Sequence, residues 1–316
     1  MATPILRREF ITKAALLAGA MSFRIGGAAE TPGKDSLRFV FATDSHLMVN
    51  NALRSDEGLV ACLKSIEAIY PKPDFVLCGG DLTHESPELE FLAAEQLIDR
   101  FLTLWRNHTQ VPTFFTFGNH DFAGTKNASV ARGDPRYGKG LYRMRLGLDR
   151  TYYAFERGGW RFIILDDVLP QPGGSYIGEY AEEQLAFLRS QLAERPQIPT
   201  VLCGHIPSFS VLPELNDFTK MEGATLRTPA SLVADNPAAL RQVLVETNAN
   251  VKIVLAGHLH HLEQIQVDGV SFLNAGAICG NWWKGKQMGC PEGYLVLDLR
   301  ADGSFSAEYR SYDWKA

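Results

Sequence analysis

The alternation of short apolar, β-rich runs with helical patterns constrains the fold of this chain more than any other feature. From residue 37 onward, strand patterns are followed by helix-forming patterns several times in succession. Such alternation predicts an α/β core, and hairpin patterns towards the C-terminal end predict mixed sheets. The predicted strands cover 37–42, 74–78, 111–117, 200–203 and 251–256, the predicted helices cover 56–70, 87–107, 179–194 and 237–247, and a hairpin covers 151–167.

Composition excludes several other classes of protein. The 316 residues are 46% hydrophobic and 21% charged, which is typical of a globular protein and not of a coiled coil or a disordered chain. No apolar run is long enough to span a bilayer, and five cysteines are too few for a disulfide scaffold. With 31 basic and 36 acidic residues the net charge is −5, which disfavours nucleic acid as a partner.

Residues 1–29 are predicted to be a cleavable export signal. The basic pair Arg7 and Arg8 precedes a short apolar stretch at 14–21. The pattern Arg-Arg-x-Phe-Ile-x-Lys resembles a twin-arginine export signal, although Leu6 stands where Ser or Thr is usual. It implies the twin-arginine export machinery and a signal peptidase as partners, and a periplasmic or secreted protein without a stable membrane anchor. The alternative is an amphipathic helix that is retained and packs on the domain.

Five short polar clusters stand where predicted strands end, and they contain five of the eight histidines. Loops beyond the carboxyl ends of strands are where α/β proteins place their sites. In an extended segment, residues i and i+2 point to the same side, so the paired side chains of one cluster can reach a common point. The clusters are Asp44-Ser45-His46, Gly79-Gly80-Asp81, Gly118-Asn119-His120-Asp121, Gly204-His205 and Gly257-His258-Leu259-His260.

The donor atoms of these clusters indicate a metal centre. They comprise two carboxylates, one amide oxygen and at least four imidazoles, without a thiolate. Mixed oxygen and nitrogen donors suit Mn, Fe or Zn. Because seven ligands are too many for one such ion, we predict two ions that share a bridging carboxylate.

In this order along the chain, Asp-x-His, Gly-Gly-Asp, Gly-Asn-His-Asp, Gly-His and Gly-His-x-His resemble the calcineurin-like metallophosphoesterase superfamily. The resemblance covers about residues 37–314. It implies two mixed β-sheets sandwiched and flanked by helices (αββα), in a catalytic domain spanning 30–316. It also implies a dinuclear-metal-dependent enzyme that hydrolyses phosphate esters by in-line attack of a metal-bridging hydroxide.

The resemblance also assigns roles to individual positions. His120 is the candidate to protonate the leaving alkoxide or to bind a phosphoryl oxygen. The cofactors are two divalent or trivalent transition-metal ions. The implied ligands are Asp44, His46 and His260 for the first ion, Asn119, His205 and His258 for the second, and Asp81 as the bridge.

The chain departs from the superfamily pattern at His84, three residues after Asp81. Some branches carry an aspartate there that orients the catalytic histidine, and the purple acid phosphatases carry a metal-binding tyrosine. A tyrosinate–iron site is therefore not expected. Two interpretations of His84 stay open: it contacts substrate, or it caps the helix predicted to begin near Pro87.

Two stretches interrupt the alternation, at 122–150 and 208–235, and long irregular insertions tend to be functional. The first carries seven basic residues and leaves directly from the Gly-Asn-His-Asp cluster. It is interpreted either as a lid that binds phosphate through cations such as Arg132 and Arg136, or as a solvated surface loop.

A Gly-rich loop carries Trp282 and Trp283 after the last histidine cluster. Aromatic rings there could flank an organic leaving group; alternatively, one ring is buried and the other covers a loop. In the same region, Cys279 and Cys290 could pair after export.

An entrance lined by aromatic rings favours a phosphodiester, which carries an organic group on each side of phosphorus. The runner-up is a phosphomonoesterase, and the last alternative is a non-catalytic metal- and phosphate-binding protein. A small phosphoester is the predicted substrate. Removal of 1–29 takes away four basic residues and one acidic residue, which changes the net charge from −5 to −8 and disfavours action on long DNA.

Overall fold

A computed structural model describes residues 23–25 and 36–315 of the chain. Three short 3₁₀ turns lie at Val49–Arg54, Ser86–Glu88 and Pro172–Gly174. The helices are α1 (Ser55–Glu67), α2 (Phe91–His108), α3 (Gly140–Leu146), α4 (Glu182–Glu194), α5 (Leu212–Leu215) and α6 (Pro237–Thr247). The strands are β1 (Phe23–Ile25), β2 (Ser36–Ala42), β3 (Phe75–Cys78), β4 (Thr113–Phe115), β5 (Tyr153–Arg157), β6 (Trp160–Ile164), β7 (Val168–Pro170), β8 (Tyr176–Gly178), β9 (Thr200–Cys203), β10 (Lys220–Glu222), β11 (Thr225–Arg227), β12 (Val251–Ala256), β13 (Glu263–Val267), β14 (Val270–Asn274), β15 (Gly293–Arg300) and β16 (Phe305–Ser311).

Two six-stranded mixed sheets form the core. The first has the order β1-β16-β15-β2-β3-β4, and the second has the order β13-β14-β12-β9-β6-β5. Within them, β2, β3 and β4 run parallel in one sheet, while β6, β9, β12 and β14 run parallel in the other. Hairpin strands complete the antiparallel edges, and the ribbons β7–β8 and β10–β11 lie apart from both sheets.

The alternation of side chains along the strands places the sheets face to face. In β2, Phe39 and Phe41 enter the cluster between the sheets, where they meet residues such as Phe162 of β6. The intervening Val40 and Ala42 enter the cluster covered by α1 and α2. The opposite face of the second sheet packs under α4 and α6. The αββα architecture predicted above is therefore confirmed.

The helix predicted over 87–107 begins later than expected. Pro87 lies in a separate 3₁₀ turn, the backbone of Glu90 is extended, and the α-helix starts at Phe91. The other predicted helices differ from the observed ones by at most three residues at either end, and 237–247 matches α6.

The predicted export signal lies outside the described residues except for β1, which pairs antiparallel with β16. Export and cleavage stay predictions. Within the described ranges, no helix combines the length and the apolar character that a membrane span requires.

Candidate metal centre

The carboxyl ends of the parallel strands in both sheets meet at one edge of the sandwich. The backbone N–H of Asp44, after β2, donates to the carbonyl of Gly80, after β3, at 3.1 Å. The backbone N–H of His258, after β12, donates to the Asp44 carboxylate at 3.0 Å. These hydrogen bonds join the two sheets where the predicted polar clusters stand.

Five of the predicted ligands hold an unusual backbone conformation. Non-glycine residues rarely adopt positive φ, and each such position costs about 1–3 kcal/mol unless its surroundings enforce it. Here φ lies between 40° and 67° at Asp44, His46, Asp81, His258 and His260. Strain of this kind concentrates at functional sites because it aims side chains where regular strands would not.

The first donor group contains Asp44, His46, Asp81 and His260. His46 Nε2 lies 3.1 Å from His260 Nε2 and 3.4 Å from Asp81 Oδ2. His260 Nε2 lies 3.3 Å from Asp44 Oδ1. Successive donor atoms of this group therefore lie 3.1–3.4 Å apart, close enough for one cation to contact neighbouring ones.

The second donor group contains His205, Asn119, His258 and again Asp81. His205 Nε2 lies 3.3 Å from Asp81 Oδ2 and 3.2 Å from Asn119 Oδ1. Ligand atoms of His258, His205 and Asp81 lie within 4.8 Å of one another. The structure thus brings all seven predicted ligands together in two groups.

Asp81 joins the two groups through a single oxygen. Its Oδ2 faces both His46 and His205, whereas its Oδ1 accepts the backbone N–H of His120 at 2.7 Å. Because the His120 N–H occupies Oδ1, Oδ2 is the oxygen best placed to be shared by two bound ions.

Backbone carbonyls orient three of the four histidine rings. Each of these rings has one nitrogen within hydrogen-bond distance, 2.7–2.8 Å, of a backbone carbonyl oxygen. The pairs are His205 Nδ1 with Gly79, His260 Nδ1 with Gly280 and His258 Nε2 with Ser231. A ring nitrogen that donates to a carbonyl leaves the other nitrogen free as a ligand. The free atoms are therefore Nε2 of His205, Nε2 of His260 and Nδ1 of His258.

The charges of the site fit bound cations. Burial alone would raise the pKa values of Asp44 and Asp81, but the surrounding histidines outweigh it and lower both. Burial alone would lower the pKa of His205, but the Asp81 carboxylate outweighs it and raises the pKa to about 10. Burial likewise opposes protonation of His260, yet Cys279 and Asp44 raise its pKa well above the usual range. Once His205 and His260 have lost their protons, the carboxylates, the amide and the imidazoles form a donor set suited to two transition-metal ions.

Metal affinity is expected to rise steeply with pH. Because His205 in one group and His260 in the other must each lose a proton to bind, the product of the association constants of the two ions should increase about 100-fold between pH 6.5 and 7.5. Competition with a chelator of known proton linkage measures this slope. A change of less than about tenfold would mean that these rings are already neutral before metal binds.

The thiol of Cys279 lies behind this centre. Its Sγ is 3.9 Å from His260 Nδ1, the nitrogen that faces the Gly280 carbonyl and not the ligand nitrogen. Cys279 and Cys290 are both free thiols, so the disulfide considered from the sequence is not formed in this structure.

His120 stands at the rim of the centre and is half-buried. Its Nδ1 contacts the carbonyl oxygen of His84 at 2.5 Å, and its ring lies 4.7 Å from that of His46. The carbonyl of residue 84 orients His120, a task given to an aspartate side chain in some branches of the superfamily. Nε2 of His120 is left for a substrate.

The side chain of His84 does not make the capping contact that the sequence left open, and its contact with substrate stays a prediction. It makes no hydrogen bond that caps the turn at Ser86–Glu88. Instead its Nδ1 lies 3.1 Å from Nδ1 of His46, and its ring stacks on His120 with centroids 4.9 Å apart. Burial and the neighbouring His120 lower the pKa of His84 to about 4, so the ring is neutral.

The two tryptophans of the Gly-rich loop have different environments. Trp283 is fully buried, and its indole N–H donates to the His46 carbonyl at 3.0 Å, which leaves it no surface for a substrate. Trp282 is partly exposed, with its ring centroid 4.7 Å from that of His260. Only Trp282 of this pair can contact a bound molecule.

Acidic partners neutralise most of the predicted basic lid. Four of its seven cations form ion pairs; Arg136, for example, binds Asp134 and Glu95 beside α2. Arg132 is exposed and has no ion pair within the described part of the chain. The segment 208–235 touches the centre through the Ser231 carbonyl that orients His258.

Two buried aspartates that the sequence argument did not assign hold the loops of the centre. Asp121 accepts the backbone N–H groups of Asp81, Leu82 and Gly118 at 2.8–2.9 Å. Asp167 accepts the backbone N–H of His205 at 3.0 Å. A signal for Asp167 was present, because it follows the apolar run of β6 directly, as the other clusters follow their strands.

Substitution of Gly204 by alanine is expected to destabilise the fold. A Cβ there would overlap Oδ2 of Asp167, whereas a Cβ at Gly133 would meet no atom. We expect Gly204→Ala to lower the free energy of unfolding by about 1–3 kcal/mol. The control Gly133→Ala should stay within about 0.5 kcal/mol of wild type in urea unfolding. Equal stability of both variants would mean that Asp167 moves aside without cost.

Comparisons with known proteins agree with this geometry. The model of the calcineurin-like phosphoesterase family matches residues 37–262. The chain is 24% identical over 276 residues to a 3',5'-cyclic-nucleotide phosphodiesterase of Nostoc sp., covering 84% of this chain and 89% of the relative. It is 25% identical over 257 residues to a cAMP/cGMP dual specificity phosphodiesterase of Mycobacterium tuberculosis, covering 80% and 70%. A dimetal phosphatase from Danio rerio has a similar fold, with a TM-score of 0.60 at 15% identity, covering 87% of this chain and 96% of that one.

Proposed function

Because the chain belongs to the calcineurin-like phosphoesterase family and is a metal-dependent phosphodiesterase, we propose that its substrates are 3',5'-cyclic nucleotides. The observation that carries the proposal is the pair of donor groups that share Asp81 Oδ2, with His120 and Trp282 at their rim. Two relatives that resemble the chain over most of its length are named for cyclic nucleotides.

The chain's own side chains divide the work of such a reaction. Two cations held by these ligands would supply an ionised water at neutral pH and would stabilise charge on the phosphoryl group. His120, held through Nδ1 by the His84 carbonyl, presents Nε2 to the oxygen that leaves phosphorus. Ring opening of a cyclic diester releases an alkoxide, a strong base that needs a proton as the bond breaks. His120 is the residue placed to donate it.

Trp282 offers a surface for a nucleobase. Its partly exposed ring lies beside His260, on the side of the first donor group. A flat aromatic ring stacks on any base, worth about 1–3 kcal/mol, so this contact would accept adenine and guanine alike.

The charge pattern favours a diester over a monoester. A phosphate monoester is a dianion that calls for an additional cation, and the runner-up interpretation relied on the basic segment 122–150 to supply one. Arg136 and Lys139 of that segment are already bound to acidic residues. A phosphodiester is a monoanion and needs less positive charge from the protein.

For the metals, we propose Mn, Fe or Zn. The ligands are carboxylate, amide and imidazole, and the nearby Cys279 lies behind His260. Such donors suit all three metals and disfavour a thiolate zinc site.

The test measures the hydrolysis rates of several substrates by the enzyme, which is first stripped of metal and then reloaded with Mn, Fe or Zn. We expect hydrolysis of cAMP, cGMP and bis(p-nitrophenyl) phosphate, and slower hydrolysis of p-nitrophenyl phosphate. Trp282→Ala should raise KM for cyclic nucleotides about tenfold. The control Trp314→Ala removes an aromatic ring elsewhere.

Faster cleavage of the monoester would instead favour the phosphomonoesterase. Hydrolysis of bis(p-nitrophenyl) phosphate without hydrolysis of either cyclic nucleotide would reject cyclic nucleotides as the substrates and would still agree with phosphodiesterase activity. No turnover with two ions bound would indicate the non-catalytic binding protein.

We also propose that the enzyme is exported through the twin-arginine pathway and acts in the periplasm or outside the cell. The basis is the Arg7–Arg8 pair and the short apolar stretch that follows. Replacing both arginines by lysine should leave an uncleaved protein in the cytoplasm of a bacterial host, as cell fractionation would show. Export of that variant at the wild-type level would reject the pathway.

A further inference from the structure

We propose two linked roles for His84. It positions the metal ligand His46 through a hydrogen bond, and the tautomer that this bond selects makes it a donor to the substrate phosphate. The second half of this inference rests on the proposed function; the first half concerns only the metal centre.

His46 is the exception among the four ligand histidines. The other three turn their outer nitrogen to a backbone carbonyl, at Gly79, Ser231 or Gly280. His46 Nδ1 meets a side chain, with His84 Nδ1 at 3.1 Å. A carbonyl can only accept a proton, whereas an imidazole that accepts at one nitrogen can donate at the other.

The contact between the two Nδ1 atoms fixes where both protons lie. His46 Nε2 faces Asp81 and His260, so an ion bound there uses the lone pair of that nitrogen. The proton of neutral His46 then lies on Nδ1 and is donated to His84. His84 accepts at Nδ1 and therefore carries its own proton on Nε2. Metal loading thus selects one tautomer of each ring.

The backbone and a neighbouring ring hold His84 in this arrangement. Its N–H donates to the Leu47 carbonyl at 3.0 Å, and a bridge pairs Leu47 with Thr83. Its ring lies nearly parallel to that of His120, with an interplanar angle of 13°. A change of rotamer would lose both the stacking and the contact with His46.

The consequence is an N–H at the rim of the centre. Among the described residues, Nε2 of His84 has no hydrogen-bond partner and is not one of the buried unpaired atoms. It is therefore open to solvent, beside His120. An anionic phosphoryl oxygen is the ligand that such a donor would bind. An aspartate at this position would accept the proton of His46 but could not donate to a phosphate.

Two substitutions separate the two halves of the role. His84→Phe keeps a ring to stack on His120 but removes both nitrogens, whereas His84→Asn keeps an acceptor near the place of Nδ1. Calorimetry with Zn²⁺ should show about 10- to 100-fold weaker binding for His84→Phe, and recovery of most of that loss in His84→Asn. The control His108→Phe changes a histidine at the end of α2 and should bind Zn²⁺ as wild type does.

Nuclear magnetic resonance of the zinc-loaded wild type reads the tautomer directly. Long-range nitrogen–proton correlations should place the His84 proton on Nε2 and the His46 proton on Nδ1. Both variants should raise KM for cyclic nucleotides, since both lose the Nε2 donor.

Wild-type zinc affinity in a folded His84→Phe protein, or a proton on Nδ1 of His84, would overturn the inference. If His84→Phe fails to fold, the tautomer of the wild type still decides it. Zinc affinity and tautomer require no substrate, so failure to hydrolyse cyclic nucleotides would reject the proposed function and leave the positioning role standing.

Discussion

Asp81→Asn is expected to lose about 10³-fold or more in kcat and to bind one metal ion where the wild type binds two. Asp81 Oδ2 lies 3.4 Å from His46 Nε2 and 3.3 Å from His205 Nε2, while Oδ1 accepts the N–H of His120. An asparagine has one oxygen for these two places. If its oxygen faces the ions, its NH₂ group meets the His120 N–H, and two donors face each other. If its oxygen accepts the His120 N–H, its NH₂ group faces the ions and cannot bind them.

The size of the effect follows from the loss of the two-metal clamp. Stabilisation of transition-state charge by such a site is worth several kcal/mol, and about 1.4 kcal/mol corresponds to a tenfold change in rate. Metal content by mass spectrometry and the rate with bis(p-nitrophenyl) phosphate give the two readouts. The control Asp149→Asn changes an exposed aspartate in the insertion and should retain both ions and full activity. Two ions and a rate within tenfold of wild type in Asp81→Asn would contradict the bridge.

His120→Asn is expected to lower kcat for cyclic nucleotides about 10²- to 10⁴-fold, the usual range for a general acid. Its Nδ1 faces the His84 carbonyl, which favours a proton on that nitrogen and leaves Nε2 to face the substrate. The expected loss is much smaller for bis(p-nitrophenyl) phosphate, because nitrophenolate is a weak base that leaves without a proton.

The ratio of the two losses separates proton donation from phosphate binding. A residue that only binds a phosphoryl oxygen would lower the rates of both substrates alike. The natural control is His261→Asn, which changes a histidine next to a ligand but outside both donor groups. Equal losses for the two substrates in His120→Asn would assign His120 to phosphate binding.

The order of strands and helices was accessible from local pattern. The predicted strands over 200–203 and 251–256 coincide with β9 and β12, because uninterrupted apolar β-rich runs between turn residues have few alternatives. The start of α2 was not accessible. A proline suits the first turn of a helix, yet Pro87 belongs to a separate 3₁₀ turn that ends before Phe91.

The gathering of the seven ligands was also predictable, for a topological reason. Parallel strands end at the same edge of a sheet, so polar clusters directly after the strands of one sheet lie close together, and the resemblance implied that the clusters of the two sheets share one site. The sequence pattern by itself therefore predicted an α/β core with polar clusters at the ends of its strands, and the resemblance to the metallophosphoesterases implied the sandwich of two sheets and the seven ligand positions.

Only the tertiary structure decided how those donors are used. Which oxygen of Asp81 forms the bridge depends on the N–H of His120, and which nitrogen of His258 is free depends on the carbonyl of Ser231. Trp282 and Trp283 are adjacent in sequence, yet only the packing of the loop buries one of them. The sequence of 122–150 predicts a cationic lid, but in the structure Glu95 of α2 pairs with Arg136 and Arg145. These outcomes depend on contacts between residues far apart in the chain, and the local pattern of residue types carries no information about such contacts.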